Sequence, residues 1–191
     1  MTPRIEWQRR ALLGAVAVLS AALLGGCVST QVSSVVVNAP RTAPRQVAVS
    51  LAAGSFAAGN IAGDLGQKNL DQLAPSLQRR LTGTMALNGL PARWWSPGAD
   101  SLQPQESLLV IAPASATYSS RTGQTLVVTA SLRDAAGAPP YWQASIRMAT
   151  LGFGQFNDGV ADDIASQLLQ RLRADQILSG SGPIQLLPPT K

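Results

Sequence analysis

The sequence predicts an α+β fold, a two-layer sandwich in which a mostly antiparallel sheet of four or five strands carries two helices on one face. Apolar and polar residues alternate along several segments, as they do in strands with one buried face. Two longer segments repeat apolar residues at helical spacing. Short, turn-rich stretches separate the strands, which is typical of an antiparallel meander. The expected order is therefore β-α-β-β-β-α.

The first predicted strand begins at Gln46, where Val47, Val49 and Leu51 share one face. The preceding segment is rich in Ser, Val, Pro and Thr, and residues 27–45 are interpreted as a lipidated N-terminus and tether. A short strand at residues 35–37 is left open. The α+β domain is expected to span residues 46–178.

An apolar stripe at helical spacing predicts the first helix, formed by Leu70, Leu73, Leu77, Leu81 and Met85. Asn69 is the expected N-cap, with Gln72 three residues on, and Asn88 followed by Gly89 ends the helix. Pro75 conflicts with a helix interior, so either it sets the true start near Ala74 or it kinks the first turn.

Three or four strands are expected next, from the segments at residues 91–96, which is short and aromatic, 107–116, 125–133 and 141–150. The alternation places Trp142 in the core. The same alternation directs a group of mostly polar side chains away from the core: Thr125, Thr129, Ser131, Gln143, Ser145 and Arg147.

The last segment predicts a second helix with Asp158 as N-cap and a stripe of Val160, Ile164, Leu168 and Leu172. Asp162 and Asp163 lie near its positive end, where acidic side chains are favourable. Residues 179–191 contain three prolines and are expected to form a flexible tail.

The N-terminus has the pattern of an exported lipoprotein. A basic start with Arg4, Arg9 and Arg10 precedes an apolar run over residues 11–24, which is shorter than the roughly 20 residues that a membrane-spanning helix needs. Leu24, Gly25, Gly26 and Cys27 follow, and this sequence resembles the lipobox of bacterial lipoproteins.

The resemblance implies a signal peptide over residues 1–26, diacylglycerol on the Cys27 thiol and an N-acyl chain on the new amino terminus. Three acyl chains attach a protein stably to a membrane. In the family's sorting pattern, Asp after the cysteine retains the protein at the inner membrane. Val28 stands there instead, so the resemblance implies the outer membrane, facing the periplasm. The Arg9–Arg10 pair leaves the general and twin-arginine export routes open.

The composition argues against several functions. The chain has no histidine and one cysteine, so Ser-His-Asp and Cys-His pairs cannot form and the commonest transition-metal ligand is missing. We therefore expect no enzyme, no metal and no cofactor beyond the acyl chains. Lys68 and Lys191 are the only lysines and no basic cluster occurs, which argues against a nucleic-acid partner.

The lipobox, the element order and the hairpin Asp134-x-x-Gly137…Trp142 resemble small envelope lipoproteins of Gram-negative bacteria. This loose group includes ABC-transport auxiliary lipoproteins, lipopolysaccharide-assembly lipoproteins and penicillin-binding-protein activators. The resemblance covers residues 46–178 in layout alone, and it transfers no functional residue except Cys27. It implies a non-enzymatic accessory module that contacts a protein of an envelope transport or assembly machine.

The tryptophan pair and the small inward-facing residues each allow two interpretations. Trp94 and Trp95 should face opposite sides of a strand, so one ring is either an exposed anchor for a partner or a cover for local apolar surface. The alternative function is a carrier that holds a lipid or another apolar ligand between helices and sheet. Small inward residues, such as Ala130 and Ala161, fit either a cavity or the tight packing that is usual in a small domain.

Overall fold

The computed structural model describes residues 28–38, 43–57, 61–121, 123–150 and 156–189. These ranges contain β1 (Val28–Val36), β2 (Gln46–Leu51), α1 (Ile61–Leu87), β3 (Ala92–Trp94), β4 (Glu106–Ser119), β5 (Gly123–Arg133), β6 (Trp142–Thr150) and α2 (Asp158–Ala174). The strands form one six-stranded, mostly antiparallel open sheet, and the two helices pack on one of its faces. The predicted α+β class is confirmed, with a somewhat larger sheet.

The strand order is β1-β6-β5-β4-β2-β3. Strands β4, β5, β6 and β1 pair antiparallel, whereas β2 pairs parallel with both β3 and β4. Parallel neighbours need crossover connections, and these are right-handed in nearly all proteins. Because the steps β2 to β3 and β3 to β4 go in opposite directions across the sheet, one crossover must lie on each face.

The first crossover is α1, and the second is the loop of residues 95–105, which we call the strap. Ala48 and Ser50 point away from the helices in the strand alternation, yet they are buried. Arg93 pairs in register with Ala48, and its Nη2 donates to the Ser101 carbonyl at 2.8 Å. The strap therefore covers the second face over β2.

Strand β1 lies where the sequence predicted a tether. It pairs with β6 from Val28 opposite Thr150 to Val36 opposite Trp142, so the tether prediction does not describe residues 28–36. Two α2 side chains bind this edge: Gln167 Nε2 donates to the Thr30 carbonyl at 2.7 Å, and Arg171 Nη2 to the Val32 carbonyl at 3.2 Å. A serine-rich strand is stable here because tertiary contacts satisfy its edge carbonyls.

Helix α1 begins at Ile61, well before the predicted N-cap. Asn69 lies inside the helix, and its side chain donates to Oε1 of Gln124 on β5. Pro75 is also inside the helix, on its exposed side, where water can satisfy the carbonyl that loses its partner. The apolar stripe is buried as predicted, and Gly89 ends the helix with a φ of 81°.

The first turns of α1 lie very close to the sheet at Gly66. A Cβ added there would stand 2.9 Å from the Ala116 Cβ and 3.0 Å from carbons of Leu126 and Phe56. No real side chain tolerates such contacts without movement. Glycine at this position therefore allows the helix to extend beyond the segment that periodicity predicted.

Helix α2 is capped by Asn157, one residue before the predicted Asp158. The Asn157 side chain accepts a hydrogen bond from the Gly159 N–H at 3.0 Å, which satisfies one of the free donors of the first turn. The predicted stripe, Val160, Ile164, Leu168 and Leu172, is buried against the sheet.

The tail predicted as flexible is docked on α1 over residues 185–188. Arg80 donates to the carbonyls of Leu187 at 2.8 Å and Pro188 at 2.6 Å. Asn88 and Gln185 exchange two hydrogen bonds of 2.8 and 3.1 Å. The prediction was wrong for this segment because a buried guanidinium needs acceptors, and the backbone carbonyls of residues 187 and 188 supply them.

Candidate functional site

Among the residues that the structure describes, none covers the sheet face opposite the helices over β4, β5, β6 and β1. Strand alternation and register define its side chains. They are mostly hydroxyls and amides mixed with small aliphatic groups: Val110, Ala112, Ser115, Thr117, Thr125, Val127, Thr129, Ser131, Gln143, Ser145, Ala149, Ser29, Gln31, Ser33 and Val35. Arg133 and Arg147 complete the set, which we call the open face. It contains the outward residues predicted from the sequence for β5 and β6.

A trough of about 440 Å³ crosses the open face. Four adjacent strands line it, with Val110 from β4, Thr129 from β5, Gln143 from β6 and Ser33 from β1 among the lining residues. Hydroxyl and amide groups can both donate and accept hydrogen bonds, while the aliphatic groups between them offer apolar contact. This chemistry suits non-covalent recognition of a surface or an extended chain.

The charged side chains of the open face are both arginines, so its charge is positive. Arg133 Nε donates to Ser131 Oγ at 3.4 Å and so lies along the face, and Arg147 is exposed in β6. No carboxylate belongs to the open face as defined above. Guanidinium groups bind carboxylates and phosphates in a bidentate way, so this face attracts partners whose surface presents anionic or carbonyl oxygens.

The strap is held by an ion pair that the sequence analysis missed. Arg93 Nε and Nη2 donate to the two carboxylate oxygens of Glu106, each at 2.8 Å, and the Gln103 N–H donates to Glu106 Oε2 at 2.8 Å. Burial of the Glu106 carboxyl raises its pKa, but the hydrogen bonds from Arg93 and Gln103 and the Arg93 charge outweigh that effect. The net result is a Glu106 pKa below its ordinary value.

This shift predicts an acid-sensitive strap. A carboxyl whose pKa is lower in the folded than in the unfolded state adds stability above the unfolded pKa of about 4.3. That stability is lost as the pH falls through the lower, folded pKa. We expect the stability difference between the native protein and Glu106→Gln to be constant near neutral pH and to shrink below about pH 4. Urea unfolding at several pH values measures it, and a difference that grows on acidification would contradict the assignment.

The structure separates the two tryptophans that the sequence singled out. Trp94 lies half-buried on the helix-covered side, packed against the core. Trp95 follows β3, and its indole N–H donates to the Asp100 carbonyl of the strap at 2.9 Å. Neither lines the trough, and their role as an interaction surface stays a prediction. Cys27 and the lipobox residues Leu24, Gly25 and Gly26 lie outside the described residues.

A second depression, of about 700 Å³, lies at the end of the sheet where β4 begins. Arg45, Ser107 and Asp134 line it together with Glu106. Its most buried carboxylate, Glu106, already binds Arg93. The remaining charges are of both signs and exposed, so this depression offers less distinct recognition than the open face.

Within the described ranges, no three His, Cys, Asp or Glu residues lie close enough together to hold a metal ion. Among the same residues, no helix combines the length and the apolar character that crossing a bilayer requires.

Comparisons with known proteins indicate a distant likeness in structure alone. No family model matches the chain, and no curated protein does. A leucine-to-methionine variant of the PelC dodecamer from Paraburkholderia phytofirmans is 22% identical with a TM-score of 0.41, and another PelC dodecamer structure from this organism is 18% identical with a TM-score of 0.38. Each alignment covers 73% of this chain and 95% of the other. Identities and TM-scores this low transfer no function to this chain.

Proposed function

We propose that this chain is a non-enzymatic, lipid-anchored accessory module of the bacterial envelope. It is attached to the outer membrane through Cys27 and binds a protein of a transport or assembly machine through the open face. The observation that supports this most directly is the trough across four strands on the face that neither helix nor strap covers.

The composition of the open face supports a protein partner. A face that only contacts water usually carries charges of both signs, whereas this one combines arginines with Val110, Val127 and other small apolar side chains. Protein interfaces are enriched in arginine and depleted of lysine, acidic residues, serine and alanine. The open face matches this composition in its arginines and in its lack of lysine and acidic residues, but not in its serines and alanines. Val110 and Val127 are half-buried and leave apolar area that a partner can remove from water, which is favourable.

The packing between the layers argues against the carrier alternative. Ala161 and Ala165 of α2 and Ala130 of β5 have no accessible surface, and α1 approaches the sheet closely at Gly66. These small residues bring helix and sheet together in a dense core. The trough, in contrast, lies on the outer face, where a large partner can reach it.

A pull-down of the acylated, detergent-extracted protein tests the proposal. We expect a stoichiometric envelope protein whose capture Gln143→Glu weakens at least about tenfold. Gln143 pairs with Ser131, which accepts from Arg133, so the new carboxylate would engage the Arg133 guanidinium and withdraw it from a partner's oxygens. Gln78→Glu is the matched control, since it makes the same isosteric change on the exposed side of α1. It should leave capture unchanged.

Other outcomes would contradict parts of the proposal. Stoichiometric lipid without a protein would support the carrier. Capture that is insensitive to Gln143→Glu and lost on Trp95→Ala would place the interface at the strap instead of the open face. Cys27→Ser should release the protein from the membrane, and a variant that stays bound would exclude the lipid anchor.

A further inference from the structure

The proposed anchor leaves no tether between the membrane and the sheet. Val28, the first residue of β1, follows Cys27 directly, and consecutive Cα atoms are only about 3.8 Å apart. When Cys27 carries acyl chains in a bilayer, the Val28 end of the sheet therefore lies at the lipid surface. This step rests on the proposed lipid anchor.

The register shows what else lies at that end of the sheet. Val28 pairs with Thr150, and Thr150 pairs with Gln124 of β5. Two strand spacings separate Val28 from Gln124, which is about 10 Å. The next residue toward the same end, Gly123, pairs with Ser119 across the β4–β5 hairpin, so the hairpin tip stands level with the anchor position.

The hairpin tip has the chemistry of a membrane interface. Tyr118 is 59% exposed, one of the most exposed large hydrophobic side chains among the described residues, and Arg121 is exposed beside it. Tyrosine rings favour the headgroup region of bilayers, and arginine binds phosphate in a bidentate way. Residues 118–123 contain no acidic side chain that would repel anionic lipids.

We infer that the β4–β5 hairpin tip is a second membrane contact, with Tyr118 at the headgroup level and Arg121 against lipid phosphates. The acyl chains alone would let the domain rotate about a single attachment point. A second contact two to three strand spacings away, roughly 10–14 Å, restricts that rotation, so that the strands run away from the membrane. The open face then stands sideways to the bilayer, accessible to a partner.

Site-specific labelling of the acylated, full-length protein tests this orientation. Acylated Cys27 has no free thiol, so a cysteine introduced at Ser120 reacts alone with an environment-sensitive fluorophore. Ala136→Cys is the matched control, because Ala136 is exposed in the β5–β6 hairpin at the opposite end of the sheet. Both proteins are reconstituted in phosphatidylethanolamine vesicles that contain phosphatidylglycerol and a headgroup-level quencher lipid.

We expect quenching and a blue shift at position 120 and neither at position 136. Adding Tyr118→Ser and Arg121→Ser to the Ser120→Cys protein should reduce the quenching at least twofold, which separates native contact from insertion of the dye. Equal signals at both positions, or quenching at 136 alone, in protein that floats with the vesicles would overturn the orientation and leave the anchor intact. Unmodified Cys27 in the mass spectrum, with no flotation, would instead overturn the anchor and the orientation with it.

Discussion

Trp142→Ala should lower the free energy of unfolding by about 4 kcal/mol, the largest effect we expect from a single substitution in this domain. Trp142 has no accessible surface at the start of β6, in the core that sheet and helices share. Its indole N–H also donates to Asp175 Oδ2 at 2.7 Å, and the Ser34 hydroxyl donates to the same oxygen. The substitution therefore creates a cavity and removes one of the hydrogen bonds that join β1, β6 and the end of α2.

Urea unfolding followed by circular dichroism measures this loss without relying on tryptophan fluorescence. Trp95→Ala is the control, since Trp95 is half-exposed and should cost no more than about 1.5 kcal/mol. Trp142→Phe keeps most of the ring volume and should fall between the two, which separates the packing contribution from the Asp175 hydrogen bond. A Trp142→Ala protein as stable as Trp95→Ala would show that the ring is not packed as described.

Arg80→Met should cost about 3 kcal/mol, because it leaves a partly buried carboxylate without its cation. The Arg80 side chain is only 3% exposed and forms two hydrogen bonds with the Asp162 carboxylate. It also donates to two carbonyls of the C-terminal segment. One side chain thus joins α1, α2 and the tail, so we expect the substitution to release the tail as well.

The neighbouring Arg79 is a control within the same helix. It pairs with Asp158 at 2.7 Å, but its side chain is 50% exposed. Exposed pairs of this kind contribute less than about 1 kcal/mol. Urea unfolding should therefore separate Arg80→Met clearly from Arg79→Met, and limited proteolysis should cleave beyond Gln185 only in the former, because Asn88 still holds Gln185. Equal losses and a protected tail in both variants would refute this role for Arg80.

A second substitution, at Asp162, shows whether the loss of stability in Arg80→Met comes from the Asp162 carboxylate left without its cation. In Arg80→Met combined with Asp162→Leu, both charges are gone, and much of the stability should return. The tail should remain released in this double variant, because its carbonyls still lack the Arg80 donors. If the double variant regains stability and its tail is again protected from proteolysis, contacts other than those of Arg80 hold the segment.

The elements with strong periodicity were predictable from the sequence. Strands β5 and β6 alternate cleanly, and α2 carries an apolar stripe, because regular backbones repeat their side-chain directions every 2 and about 3.6 residues. The same periodicity predicted that Trp142 is buried and that Thr129, Ser131 and Gln143 face outward. The helix boundaries differ from the prediction where a contact outside the periodic pattern decides them. Gly66 allows α1 to start earlier than predicted, and Asn157 caps α2 in place of Asp158.

Strand β1 shows why other elements were missed. Its serine-rich sequence has weak alternation, and its pairing with β6 joins segments more than a hundred residues apart. The edge becomes favourable only when Gln167 and Arg171 supply donors to its carbonyls. The docking of the tail was missed for the same reason, because it also depends on a contact between distant segments. The carbonyls of residues 187 and 188 bind only because Arg80 lies buried beside them.

Some of the residues that bear on function could be predicted from the sequence, and others could not. The lipobox resemblance at Cys27 and the composition could be read directly, because the former is a local pattern and the absence of histidine is a property of the chain. The trough, the Arg93–Glu106 pair and the level of the hairpin tip relative to Val28 could not, because they depend on strand order and register.

Sequence alone therefore determined the α+β class, the buried faces of its most regular elements, and the residue types available for chemistry. Only the tertiary structure decided that the sheet begins beside the proposed anchor and that one face stays open over four strands. The physical reason is that local periodicity reflects backbone geometry within one element. The choice of neighbouring strands, in contrast, reflects contacts between distant segments, whose free energy no local pattern contains.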